Sequence, residues 1–215
     1  MNDIKINSVC AGGASFSLND SPIEYCMSQK IEVIEYYTKF LINENFTHII
    51  ELGTYKGGFA ILLDKIKNES NLNFKILTID FAKWHLNGPA TDDICSNLDD
   101  VIKEYEKRNI EFILSDIFSD TCIDKIKSLL YNGKCLILCD GGDKSKEFNF
   151  FAKFLKPNDF IMAHDYDDYS SNNGWSWKEI NYNMIKDSVE LNNLVKYDIQ
   201  NFNDVAWACF KKINI

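Results

Sequence analysis

Residues 48–64, HIIELGTYKGGFAILLD, constrain the fold more than any other part of the chain. Residues 48–52 form a short apolar run of β-formers, whereas residues 59–63 place apolar side chains at helical spacing. Three glycines separate the two runs, where the chain must reverse tightly: Gly53, Gly57 and Gly58. The stretch predicts a strand, a glycine turn and a helix. Because glycine permits close approach of the backbone and a helix start offers free N–H groups, a ligand is expected over this turn.

Four further apolar runs follow the glycine turn, and each closes near an acidic residue. They are residues 75–80, 110–116, 134–140 and 160–166. Stretches with helical periodicity separate them. This alternation predicts an α/β fold with a Rossmann-like, doubly wound, mostly parallel sheet and helices on both faces. Since the carboxyl ends of parallel strands bind ligands in such folds, the acids are expected to gather at that edge.

The first 46 residues read differently. Residues 1–27 mix Gly, Ser, Asn and isolated apolar residues, which is a weak signal for regular structure. Ser28 is expected to cap a helix that reaches about Asn45. The buried stripe of that helix is predicted at Ile31, Ile34, Tyr37 or Thr38, and Leu41.

Charge and cysteine usage exclude several classes of function. The formal net charge of -9 argues against nucleic acid as the main partner, because such binding needs clustered Lys and Arg. No apolar run approaches about 18 residues and the start resembles no leader, so we expect a cytoplasmic protein without a membrane partner. The seven cysteines are irregularly spaced and include no C-x-x-C pair, which predicts reduced core residues.

Three motifs and the acid at Asp80 carry a family resemblance. ELGTYKGG, residues 51–58, lacks the G-x-G-x-x-G spacing of nicotinamide enzymes and resembles the first motif of class I S-adenosylmethionine-dependent methyltransferases. CDGGDK, residues 139–144, and KPNDFIMAHDY, residues 156–166, resemble the macrocin O-methyltransferase and cephalosporin hydroxylase group. The likeness spans about residues 21–211. It implies a sheet of seven strands closed by an antiparallel pair near residues 197–199 and 206–211.

The resemblance also implies a division of the single globular unit. Residues 1–46 would form an N-terminal segment and helix that pack near the active site, and residues 47–215 the methyltransferase domain.

The resemblance locates S-adenosylmethionine along the glycine turn and the strand ends. At Asp80 a carboxylate would offer paired acceptors to the ribose hydroxyls, and Asp116 would accept a hydrogen bond from the adenine amine. The expected cofactor-binding residues are Glu51, Gly53, Thr54, Tyr55, Gly57, Asp80, Phe81, Ser115, Asp116 and Asp140.

A divalent metal is implied at Asp140, His164 and Asp165, with His164 in place of the carboxylate that the group commonly carries. Two carboxylates and an imidazole suit Mn or Fe at least as well as Mg. Three residues are candidates for the general base. Lys144 lies one residue beyond the position where catechol O-methyltransferases carry a lysine, Asp143 occupies the matching position, and His164 qualifies if it does not bind metal.

The implied function is metal-assisted methyl transfer to a hydroxyl of a sugar, nucleotide-sugar or glycosylated small molecule. A homo-oligomer would follow if the apolar N-terminal segment packs on a neighbouring chain. Two alternatives remain open: a nicotinamide-dependent sugar oxidoreductase or epimerase, and a catalytically silent binding domain of the same fold. The missing G-x-G-x-x-G counts against the oxidoreductase.

Overall fold

The computed structural model describes residues 4–10, 13–21, 23–81, 98–167, 177–197 and 202–214. Within these ranges the strands form a three-stranded sheet and a seven-stranded sheet. The small sheet is antiparallel in the order β1-β2-β3, with β1 at Ile4–Cys10, β2 at Gly13–Leu18 and β3 at Glu24–Met27.

The large sheet contains β4 (His48–Leu52), β5 (Lys75–Asp80), β6 (Glu111–Leu114), β7 (Cys135–Cys139), β8 (Phe160–His164), β9 (Leu194–Lys196) and β10 (Trp207–Lys212). Its strand order is β6-β5-β4-β7-β8-β10-β9. Strands β4 to β8 run parallel, and β10 runs antiparallel to both β8 and β9. The predicted mostly parallel, seven-stranded sheet is confirmed, although β9 ends just before the predicted residues 197–199.

Helices cover both faces of the large sheet. They are α1 (Val33–Glu44), α2 (Gly58–Glu69), α3 (Leu98–Arg108), α4 (Asp120–Asn132), α5 (Lys144–Phe151) and α6 (Tyr182–Leu191), with short 3-10 turns at Ala152–Phe154 and Phe202–Val205. One apolar core joins the sheet to α1, α2 and α3, and the other joins it to α4, α5 and α6. Strand β7 is buried throughout, and its side chains alternate between the two cores, as a central parallel strand requires.

Helix α1 differs from its prediction in two respects. It begins at Val33 without a side-chain cap, so Ser28 does not cap it. Its buried residues are Val33, Tyr37, Phe40 and Leu41, whereas Ile31 and Ile34 are only partly buried. The aromatic residues decide which face turns inward, because Phe40 packs edge-on against Phe160 and Phe202, with ring centroids 5.3 Å apart in each pair.

The N-terminal strands correct the weak expectation for residues 1–27. Phe16, Tyr25 and Met27 are buried in the same core as α1 and α2. Strand β3 also touches the start of α2 directly, since a Cβ atom added at Gly58 would lie 2.3 Å from the carbonyl oxygen of Cys26. The N-terminal sheet therefore packs beside the helix that follows the glycine turn.

The cysteines follow the expectation only in part. Cys122, Cys135, Cys139 and Cys209 are buried thiols, as predicted. Cys26, however, is disulfide-bonded, so the expectation of reduced cysteines is wrong at this position. The irregular spacing of the cysteines gave no means of predicting a pair, because pairing depends on the tertiary structure. None of the described helices is long and apolar enough to cross a membrane.

Candidate functional site

The turn between β4 and α2 has a left-handed backbone at three positions. The φ angles are +98° at Gly53, +48° at Tyr55 and +83° at Gly57. A Cβ atom at Gly53 would lie 2.4 Å from the carbonyl oxygen of Asp140, so the turn lies against the end of β7. Glycine is needed at Gly53 both for its φ angle and for this close approach.

Helix α3 closes over the other end of the turn. The Tyr105 hydroxyl donates a hydrogen bond of 2.9 Å to the carbonyl oxygen of Gly57. A Cβ atom at Gly57 would lie 2.5 Å from Cγ1 of Val101 and 2.7 Å from the Tyr105 hydroxyl. The predicted glycine turn is thus present and enclosed on both sides.

Asp80 ends β5 beside this turn. Its Oδ2 atom accepts hydrogen bonds from the backbone N–H groups of Thr54, at 3.0 Å, and Tyr55, at 3.1 Å. Its carbonyl oxygen accepts from the N–H of Ser115, at 2.8 Å, which joins the end of β6 to the same place. The predicted ribose ligand therefore also holds the shape of the turn.

Glu51 lies beneath the turn in a buried polar chain. The Thr78 hydroxyl donates to Oε2 of Glu51 at 2.5 Å, and the hydroxyls of Thr54 and Thr78 are 2.6 Å apart. Burial raises the pKa of the Glu51 carboxyl well above its usual range. Thr78 was not among the predicted site residues, although a polar residue within the apolar run 75–80 is a signal that it has a hydrogen-bond partner.

The remaining predicted cofactor residues lie at the rim of the site. Phe81 is 62% exposed, and Tyr55 and Asp116 are also exposed. Asp116 accepts a hydrogen bond of 2.9 Å from the N–H of Phe118, and Ser115 is half-buried. These side chains follow the carboxyl ends of β4, β5 and β6, on the edge predicted for the cofactor.

Asp140, His164 and Asp165 come together at the ends of β7 and β8. One ligand atom from each lies within 4.8 Å of the other two. Nδ1 of His164 is 2.8 Å from Oδ1 of Asp140 and 3.5 Å from Oδ1 of Asp165. In an octahedral site with bonds of about 2.1 Å, neighbouring ligand atoms lie about 3 Å apart. The three side chains therefore fit one divalent cation.

The backbone of Asp165 explains how two consecutive residues face the same partner. Along a strand, successive side chains point to opposite faces of the sheet. Asp165 leaves the strand with a left-handed φ of +56°, and its carbonyl oxygen accepts from the N–H groups of Glu179 and Ile180 at 3.0 Å and 3.3 Å. The turn ends the alternation, so both His164 and Asp165 reach toward Asp140.

Lys144 is buried beside this trio and makes three contacts. Its Nζ atom lies 2.9 Å from Oδ2 of Asp165 and 2.8 Å from Oε2 of Glu179, and it donates to the carbonyl oxygen of Gly141 at 3.1 Å. Burial alone would lower the pKa of Lys144, but the carboxylates of Asp140 and Asp165 raise it above its ordinary value. The ammonium form is thus favoured. Nothing in the sequence pointed to Glu179 as its partner.

Asp143, the alternative base, is exposed at the start of α5. Its Oδ1 atom accepts from the N–H of Lys146 at 3.0 Å and from the Ser145 hydroxyl at 2.9 Å, which makes it the N-cap of the helix. The loop before it is held by Glu147, whose carboxylate accepts from the N–H groups of Gly141 and Asp143 at 3.1 Å and 3.3 Å. Burial raises the pKa of Glu147 to about 7.

Two further residues reach the Asp140–His164 pair without having been predicted. Nε2 of Gln29, from the segment between β3 and α1, lies 2.5 Å from Oδ2 of Asp140. The ring of Trp207 lies beside that of His164, with centroids 4.8 Å apart, because β10 pairs with β8 in a register that places Trp207 opposite His164.

The sequence matches no protein-family model and no curated protein sequence. Solved structures with a similar fold include CmcI, in its N160 apo form and in its D160 form with Mg and SAM. Each CmcI comparison has a TM-score of 0.60 and 12% identity, and covers 88% of this chain and 74% of CmcI.

Two other solved structures are similar in fold. A putative caffeoyl-CoA O-methyltransferase from Staphylococcus aureus has a TM-score of 0.54 and 12% identity, over 84% of this chain and 83% of that one. The SAH-bound methyltransferase PaMTH1 from Podospora anserina has a TM-score of 0.53 and 12% identity, over 87% and 80% of the two chains. These similarities and the strand order show that the chain has the Rossmann-like fold of class I methyltransferases.

Proposed function

We propose that this chain is an S-adenosylmethionine-dependent O-methyltransferase with a divalent metal centre at Asp140, His164 and Asp165. The observation that carries the proposal is the convergence of these three side chains beside the glycine turn, where Gly53 lies against Asp140. The fold comparisons support the same reaction class, since the proteins of similar fold include O-methyltransferases and SAM-bound or SAH-bound forms.

In the net reaction the methyl–sulfur bond of S-adenosylmethionine breaks and a methyl–oxygen bond to the acceptor forms. S-adenosylhomocysteine and the hydroxyl proton are released. Aligning the acceptor oxygen with the methyl group is the main task of the protein, and such alignment is worth about 7–11 kcal/mol of the barrier.

The glycine turn and Asp80 supply the cofactor side of this alignment. The turn is preorganised, because Asp80 already accepts its two N–H groups and Tyr105 fixes the carbonyl of Gly57. We assign Asp80 to the ribose, and the exposed side chains of Tyr55, Phe81 and Asp116 to the rim of the cofactor pocket.

Asp140, His164 and Asp165 would hold the metal. When bound, a divalent metal would lower the pKa of a coordinated acceptor hydroxyl and fix its direction. The mixed oxygen and nitrogen donors suit Mn or Fe at least as well as Mg. This assignment removes His164 from the candidate bases.

Lys144 and Asp143 fit positioning roles better than that of general base. All three contacts of Nζ in Lys144 are to oxygen atoms, so its ammonium form is stabilised and it orients Asp165 and Glu179. Asp143 accepts two hydrogen bonds at the start of α5.

We propose a sugar, nucleotide-sugar or glycosylated small molecule as the acceptor, because neighbouring hydroxyls of a sugar can chelate a metal. The test starts with calorimetric titration of S-adenosylhomocysteine and of nicotinamide dinucleotide into metal-stripped protein and into protein with Mn²⁺. We expect S-adenosylhomocysteine to bind and nicotinamide dinucleotide not to bind. Binding of the dinucleotide alone would reject the methyltransferase and support the oxidoreductase.

If S-adenosylhomocysteine binds, nucleotide-sugars and free sugars are then screened as methyl acceptors with isotopically labelled S-adenosylmethionine. Transfer of label that needs Mn²⁺ and yields an ether-linked methyl group is the expected result. Cofactor and metal binding without transfer to any hydroxyl compound would instead support the catalytically silent domain.

A further inference from the structure

Gln29 joins the N-terminal segment to the candidate metal centre. It lies between β3 and α1 with only 2% of its surface exposed. Its Nε2 atom is 2.5 Å from Oδ2 of Asp140, a residue 111 positions further along the chain. The buried carboxamide of Gln29 thus gives the Asp140 carboxylate a hydrogen-bond partner from outside the parallel strands.

We propose that Gln29 is a positioning residue, which fixes the orientation of the Asp140 carboxylate toward His164. Oδ2 of Asp140 faces the amide of Gln29, while Oδ1 lies 2.8 Å from Nδ1 of His164. With both oxygens held, the carboxylate cannot rotate about its terminal bond. The inference rests on the proposed function, because it assigns a supporting partner to one of the proposed metal ligands.

The other end of the carboxamide indicates a functional and not merely a structural role. Oε1 of Gln29 is buried and meets no hydrogen-bond partner among the residues that the structure describes. Leaving such an acceptor unsatisfied costs about 1–3 kcal/mol, so an amide that served packing alone would be paired at both ends.

Two further buried polar atoms continue this pattern from His164 outward. Nε1 of Trp207 and the hydroxyl of Tyr37 are also buried without a hydrogen-bond partner in the described part of the chain. Trp207 packs on His164, and the rings of Tyr37 and Trp207 are 5.8 Å apart. One acceptor, one donor and one hydroxyl near a single acid–imidazole pair are typical of a polar site that a ligand or an ordered water completes.

Removing the Gln29 amide should therefore change the geometry of the Asp140–His164 pair as well as the packing around residue 29. In Gln29→Met the side chain keeps its length and loses the donor, so Oδ2 of Asp140 is released. In Gln29→Glu a second carboxylate faces Asp140 and repels it. Loss of a partner that orients a metal ligand typically lowers metal affinity by about 10–100-fold.

The test compares Gln29→Met and Gln29→Glu with Tyr25→Phe in the full chain. Tyr25 is a matched control, because it is a buried residue of β3 whose hydroxyl donates to Ser21 at 2.7 Å, within the N-terminal segment. The first readout is the Nδ1 resonance of His164 in metal-free, ¹⁵N-histidine-labelled protein. The chain has three histidines, so His48→Gln and His85→Gln assign the spectrum. The second readout is the Kd for Mn²⁺, and circular dichroism monitors folding.

We expect both Gln29 variants to move the His164 Nδ1 resonance and to weaken Mn²⁺ binding by about 10–100-fold, while Tyr25→Phe changes neither. An unchanged Nδ1 resonance in both folded Gln29 variants would overturn the inference, even if their thermal stability fell. Failure of the wild-type protein to bind S-adenosylhomocysteine is a separate outcome. It would reject the proposed function, while the metal-free Nδ1 readout would still decide on Gln29.

Discussion

Nδ1 of His164, the last residue of β8, lies 2.8 Å from Oδ1 of Asp140, the residue directly after β7. The closeness of Asp140 and His164 follows from the register of two parallel neighbouring strands. Strands β7 and β8 pair Cys139 with Ala163, and Asp140 and His164 are the residues that come next. The closeness of the Asp140 carboxylate and the His164 ring is thus a consequence of sheet topology.

The metal assignment predicts opposite results for two acids three residues apart. Asp140→Asn should lower Mn²⁺ affinity by at least about 10-fold, because one of two anionic ligands becomes neutral. Asp143→Asn is the control, since asparagine also caps a helix and Asp143 lies outside the trio. Isothermal titration with Mn²⁺ measures both. Equal loss of affinity in the two variants would contradict the assignment of Asp140.

The turn geometry predicts a large cost at one glycine and almost none at another. Gly53→Ala introduces a side chain at a φ of +98° and 2.4 Å from the Asp140 carbonyl oxygen. Backbone strain alone should lower the free energy of unfolding by about 1–3 kcal/mol. Gly142→Ala should change it by less than about 0.5 kcal/mol, because nothing lies within 4 Å of the added atom. Urea unfolding compares them, and equal midpoints would refute the close approach.

Substitutions of Asp80 can separate its support of the turn from its proposed contact with ribose. Asp80→Ala removes the acceptor of two N–H groups, which should cost about 1–3 kcal/mol of stability and also weaken S-adenosylhomocysteine binding. Asp80→Asn retains one acceptor oxygen, so stability should largely recover while affinity stays low. Urea unfolding and calorimetry test this pair of variants. Recovery of both properties in Asp80→Asn would show that Asp80 only supports the turn.

Glu147 predicts a pH dependence of stability with a defined sign. Burial raises its pKa from 4.5 to about 7 in the folded protein, so between these values the folded state binds a proton that the unfolded state lacks. Its contribution to stability is therefore fully present below about pH 4.5 and is lost as the pH rises through about 7. Between these pH values the free energy of unfolding should fall by up to about 1.4 kcal/mol per pH unit.

Glu147→Gln removes this titration while keeping an acceptor oxygen for the loop. The difference in unfolding free energy between wild type and variant, measured by urea titration at pH 5, 6, 7 and 8, should change in favour of the variant as the pH rises. A difference independent of pH would mean that Glu147 ionises normally.

Much of the candidate site could be predicted from the sequence because it depends on strand ends. Asp80, Asp140 and His164 each close an apolar run, and parallel strands bring their ends together whatever the details of packing. The glycine turn was also predictable, because glycines are needed where the backbone has a positive φ or approaches another segment closely.

The contacts that arise from packing could not be predicted. Strand β2 reads GASFSL, so small and polar residues hide a strand whose side chains are nearly all buried. Gln29 reaches Asp140 from the segment after β3, a strand that packs against α2, and Glu179 reaches Lys144 from 35 residues away. No periodicity connects these pairs, so their proximity is a property of the tertiary structure alone.

The most direct test of the central claim is a crystal structure with Mn²⁺ and S-adenosylhomocysteine, with anomalous diffraction data collected at the Mn absorption edge. We expect an anomalous peak bonded to Asp140, His164 and Asp165 at about 2.0–2.3 Å, and the nucleoside over the turn at Gly53 with its ribose at Asp80. An anomalous peak elsewhere, or density for the nucleoside away from the turn, would contradict it.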